Sequence, residues 1–145
     1  MNENTELLNY IYKDCEMGIT SLTTLIRKLN GKDNKIKKIV EAELKGYENF
    51  KSRCEELLNQ MNSEGIDASL MAKTMSGMKL NFEVMKDNSD AKIADILTKG
   101  FTMGTVDMNK KIEMYKDDAE KEVMDLAKDF LKFQNENIEF LKEYL

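Results

Sequence analysis

A chain of 145 residues, 41% hydrophobic and 34% charged, has single-domain length and needs neither a disulfide nor a metal to bury a core. Its net charge of −5 and pI of about 5.0 exclude nucleic acid as a main partner, because phosphate binding rests on clustered Lys and Arg. The absence of proline suits long unbroken helices. The absence of histidine removes imidazole metal ligands, His general bases and His-containing triads.

The first predicted helix spans 5–29, with apolar or small residues at 7, 11, 15, 18, 22, 25 and 29. That alternation of three and four is the period of one helix face. Thr5 is placed to cap its start, and Asn30-Gly31 ends it. A second helix over 34–62 repeats the pattern at Ile36, Val40, Glu43, Tyr47, Phe50, Cys54, Leu57 and Met61, with Asp33 as its expected cap. Glu43 alone breaks that apolar series. The Lys32, Lys35, Lys37 and Lys38 cluster, diluted by Asp33, reads as a solvated helix start. A shorter helix over 68–85 carries Met71, Met75, Met78, Phe82 and Met85 on one face, before the turn-forming run Lys86-Asp87-Asn88-Ser89.

A third long helix spans 90–116, through Ile93, Leu97, Gly100, Gly104, Met108, Ile112 and Tyr115. The last spans 119–144, through Ala119, Val123, Leu126, Phe130, Phe133, Asn137, Phe140 and Tyr144. Neither Gly nor Pro marks the boundary at Asp117-Asp118. One continuous helix would measure about 80 Å at ~1.5 Å per residue, too long for a compact monomer, so a break is expected there.

No apolar run approaches the ~18 residues of a membrane span. The polar, acidic opening MNENTELL does not read as a secretory signal. Cys15 and Cys54 fall on apolar stripes and are expected as reduced core thiols, which points to the cytoplasm.

Three carboxylates are the weak metal candidates. Glu43 lies in its helix seam, Asp14 beside another, and Asp107 three residues beyond Gly104. Oxygen-only ligands suit Mg, Mn or Ca. The expected role is structural, with Asp14 and Glu43 satisfied by hydrogen bonds and Tyr47 within reach of Asp14. Gly18 and Gly46 fall at nearly the same level and are expected to let the backbones approach or to make room for the Tyr47 ring. Gly100 and Gly104 are read as close-packing positions, and the methionines as ordinary core.

The pattern Leu8, Ile11, Asp14, Gly18, then Glu43 and Arg53, then Ser89-Asp90-Ala91, Ile96-Leu97, Gly100, Gly104, Tyr115, Gln134 and Asn137-Ile138 resembles the uncharacterised bacterial four-helix bundles of the ferritin-like superfamily. The resemblance covers nearly the whole chain. It implies an antiparallel four-helix bundle, with 68–85 as an additional crossover helix. The family pattern sets acidic residues around Phe101 and Thr105 and a histidine near Asn137, so this chain departs from it at the ligand positions.

The expectation is therefore an all-α, ferritin-like antiparallel four-helix bundle over 1–145, a single domain, with a shorter crossover helix. It is expected to be cytoplasmic and non-enzymatic, with no catalytic residues, no cofactor and no metal. It would act as a homodimer or dock a protein partner, without nucleic acid or membrane. The alternatives are a carboxylate metal-binding protein and a carrier of a small apolar ligand. The dimer rests on apolar residues beside the main seams: Leu8, Ile19 and Ile26, and Met124, Leu131, Ile138, Leu141 and Leu145.

Overall fold

A computed structural model describes residues 2–61, 82 and 85–145. The described residues form four α-helices and no strand: α1 (Glu3–Lys28), α2 (Lys37–Gln60), α3 (Asp90–Tyr115) and α4 (Lys121–Leu141), followed by a 3-10 turn over Lys142–Tyr144.

Two helix starts differ from the sequence expectation. α1 begins earlier because Asn2, not Thr5, is the cap: its side chain accepts the Thr5 backbone N–H at 2.8 Å. α2 begins later, at Lys37, and Asp33 does not cap it. The intervening residues are committed elsewhere. Asn34 Nδ2 donates to the Asn88 carbonyl (2.7 Å) and to Asp90 Oδ1 (2.9 Å), and the Lys35 N–H donates to Asp90 Oδ2 (3.1 Å). Those three bonds tie the α1–α2 turn to the first turn of α3. α1 ends at its cap Leu29, and Gly31, at φ 79°, supplies the left-handed residue of the turn that follows.

α3 starts as read, with the Ser89 hydroxyl accepting the Lys92 N–H at 3.2 Å. The expected break after α3 is present at 116–120. It is held by α1: Asn4 Oδ1 accepts the Glu120 N–H at 2.6 Å, and the Tyr115 hydroxyl donates to Glu6 Oε2 at 2.9 Å. Of the expected helix over 68–85, all but Phe82 and Met85 lies outside the described residues; these two are not helical. Lys28 Nζ donates to both of their carbonyls, and Phe82 is buried.

α1 packs along α2 and α3 along α4. The two pairs meet where α4 touches both α2 and α1, and through a narrower α1–α3 contact. The seams bury as the periodicity predicts: Leu7, Ile11, Cys15, Leu22 and Leu25 from α1, Val40, Tyr47 and Cys54 from α2, Ile93, Leu97 and Met108 from α3, Val123, Leu126 and Phe130 from α4. Each large side chain so buried contributes about 1.5–3 kcal/mol. Both thiols are free and buried, and burial raises both, Cys54 to about 12. No helix among the described residues is long and apolar enough to cross a membrane.

The methionine reading holds only in part. Met108 is core, whereas Met103 and Met114 are exposed.

Candidate functional site

The inner faces of the helices place five rings together. Tyr47 and Phe50 come from α2, Phe101 from α3, and Phe130 and Phe133 from α4. Tyr47 stacks on Phe101 with planes 9° apart and centroids at 6.0 Å, and it meets Phe133 edge-on at 5.2 Å. The cluster depends on two glycines. A Cβ on Gly18 would lie 2.6 Å from two atoms of the Tyr47 ring. A Cβ on Gly46 would overlap the Phe133 ring. Gly18 thus makes room for Tyr47 as the sequence suggested, whereas Gly46 makes room for a ring from α4.

The carboxylates sit around this cluster. Asp14 is 4% exposed, and Gln134 Nε2 donates to its Oδ2 across a long 3.4 Å. Its other oxygen, Oδ1, has no hydrogen-bond partner among the described residues. Burial and the nearby Asp107 carboxylate push its pKa up to about 7. Glu43 is 0% exposed, and neither of its oxygens has a partner among the described residues. Burial pushes its pKa up to about 8. Among the described residues, then, Asp14 has one long hydrogen bond and Glu43 none, fewer than the sequence leads one to expect.

Asp107 is half-buried and close enough to act on both Asp14 and Tyr10. Glu43 acts on Tyr47 but not on Asp14. Of the three sequence candidates, Asp107 acts on Asp14, while Asp14 and Glu43 both act on Tyr47. Among the described residues no group of three Cys, Asp or Glu stands where it could hold a metal ion. The positions at which the resemblance would set metal ligands are held by Phe101, Thr105 and Asn137. The Thr105 hydroxyl and the Asn137 amide donate to carbonyls of their own helices. This donor set does not fit a carboxylate dimetal centre.

A cavity of about 20 Å³, room for about one water molecule, opens beside Asp14. Gly18, Ser21, Tyr47, Leu97, Gly100 and Phe101 are among its walls. Three residues of this region escaped the site reading. Gln134 lies four residues after Phe130 and three before Asn137, a spacing that does set it on the inner face. The Tyr10 hydroxyl and the Phe101 ring carried no comparable signal.

A second feature lies outside, between α2 and α4. Ile39, Ala42, Lys45 and Gly46 form one wall of a groove of about 340 Å³, and Phe133, Glu136 and Phe140 the other. Phe140 is 55% exposed. By contrast, the apolar surplus that suggested a dimer is mostly covered within the chain. Leu8, Met124 and Leu141 are buried, Ile19, Ile26, Leu131 and Ile138 are half-buried, and only Leu145 stays exposed.

Comparison with known proteins finds no family model, no curated protein and no solved structure that matches the chain.

Proposed function

We propose that this chain is a non-enzymatic, cytoplasmic helical-bundle protein that works by self-association as a homodimer, through the α2–α4 groove. The observation that carries this reading is Phe140, more than half exposed in a groove that Phe133 and Gly46 also line. A large aromatic in such a place is the kind of anchor that interfaces bury. The groove also suits a second copy of the same chain. Its α2 wall offers Lys45 and its α4 wall Glu136, both exposed. In a twofold pairing that sets α2 over the partner's α4, each Lys45 faces a Glu136, and each Phe140 enters the opposite groove.

An antiparallel, ferritin-like topology accompanies this reading. Contacts in which Glu16 meets Lys51 and Gly18 meets Tyr47 support it for the first helix pair. The alternatives have less support. The donor set does not fit a carboxylate metal centre, and a cavity holding about one water is too small for an apolar metabolite.

Light scattering across a dilution series tests the proposal. The expected mass is twice 16.8 kDa, and Phe140→Asp should shift it to the monomer while the helix content is kept. A wild-type monomer at every concentration, or a Phe140→Asp dimer, would refute it.

A further inference from the structure

The turns of α2 that bury Glu43 also build one wall of the α2–α4 groove. Val40, Glu43 and Tyr47 are buried on one face of the helix. Ile39, Ala42, Lys45 and Gly46, on the adjoining face, line the groove. Ile39 and Gly46 stand one turn before and one turn after Glu43, at the border between the two faces. A second connection runs through rings. Glu43 acts on Tyr47, Tyr47 meets Phe133 edge-on at 5.2 Å, and Phe133 lines the groove with Phe140. Glu43 itself is fully buried, and neither carboxyl oxygen has a partner among the described residues. No charged group of the described residues acts on it either, since burial is the cause of its raised pKa. From α1, Asp14 and Cys15 act on Tyr47, and from α3, Asp107 acts on Asp14. α4 sets the rings of Phe130 and Phe133 against Tyr47 and carries Glu136 at the groove.

A buried carboxylate with no donor is costly, so the neutral acid is the form that fits this packing. Once ionised, the group must reach water. On α2 the groove is the solvent-open face that adjoins Glu43, and Gly46 at its border carries no side chain. We propose that the proton on Glu43 controls self-association: the neutral acid leaves the α2 wall in place for the second copy, and the ionised carboxylate turns out between Ile39 and Gly46 into the groove and excludes that copy. This control rests on the reading of the α2–α4 groove as the dimer interface.

The test uses the whole chain, with the dimer Kd measured by light scattering across a pH series at constant ionic strength. With the Glu43 midpoint at about 8, the neutral fraction falls roughly tenfold in each protomer between pH ~7 and ~9, so the dimer should weaken on the order of a hundredfold. Glu43→Gln keeps the shape without the charge and should hold one Kd across that range. Asp14→Asn removes the other buried carboxyl and should keep the wild-type profile. The Glu43 carboxyl carbon, followed by NMR in the wild type, should titrate together with dissociation, which keeps the test decisive if Glu43→Gln folds poorly. A monomer at every pH refutes the dimer and this control with it. The control alone is overturned by a dimer whose Kd ignores pH, by a Glu43→Gln dimer that dissociates as the wild type does, by loss of the profile in Asp14→Asn, or by a carboxyl that titrates apart from dissociation.

Discussion

The ring of Tyr47 occupies the space where a side chain on Gly18 would stand. A Cβ built on Gly18 lies 2.6 Å from both Cε2 and Cζ of that ring. The ring is held on its other sides by Phe101, Phe130 and Phe133, and the cavity beside it has room for only about one water. Gly18→Ala should therefore destabilise the protein by about 1–3 kcal/mol, overpacking outweighing the ~1 kcal/mol gain in helix propensity. Chemical denaturation measures this. In a Tyr47→Leu background the same change should cost much less, because the two residues share one space. Equal costs in both backgrounds would show that the clash is not the cause.

Gly46 meets its ring under different conditions. Phe133 is only half-buried and borders the open groove, so it has room to turn away from a new methyl group. Gly46→Ala should cost less than Gly18→Ala, within about 1 kcal/mol of neutral, because helix propensity offsets a relievable clash. A cost equal to that of Gly18→Ala would mean that Phe133 is as fixed as Tyr47.

The seams were legible because burial of one face is what the three-and-four spacing encodes, and every seam position from Leu7 to Leu25 in α1 lies where that spacing sets it except for the glycine. The start of α2 was not legible. Asn34 and Lys35 spend their polar groups on Asn88 and Asp90, more than fifty residues away, and no local pattern reports such a bond. The site was half legible. Asp14, Glu43 and Tyr47 stood out as polar groups on apolar stripes, but the sequence could not say that Glu43 has no donor among the described residues or that Gly46 faces α4.

The break between α3 and α4 is a tertiary feature and should respond to a residue of α1. Asn4 Oδ1 accepts the Glu120 N–H, a donor at the open start of α4 that no intrahelical carbonyl can reach. Asn4→Ala should cost about 1 kcal/mol, the usual worth of a capping bond. Hydrogen exchange should show it locally, with faster exchange of the first α4 amides and little change in the middle of the helix. An unchanged exchange pattern would remove Asn4 from this role.

The two buried carboxyl groups set the direction of the pH dependence. Glu43 rises from 4.5 to about 8 on folding, and Asp14 from 3.8 to about 7. In both cases the folded state holds the proton more tightly than the unfolded one. The stabilising contribution of each is therefore whole below its unfolded pKa and is lost as pH rises through its folded pKa. Unfolding free energy should fall between pH ~4 and ~8, by on the order of a few kcal/mol for each group. Glu43→Gln replaces the acid by an uncharged group of the same shape, and so removes its share. The variant should match the wild type within about 1 kcal/mol at pH 5 and exceed it by a few kcal/mol above pH 8, with its remaining decline confined below pH ~7, where Asp14 titrates. Denaturation midpoints at four or five pH values suffice. Wild-type and variant curves running parallel across that range would mean that Glu43 does not lose its proton inside the folded protein, and would assign the slope to other groups.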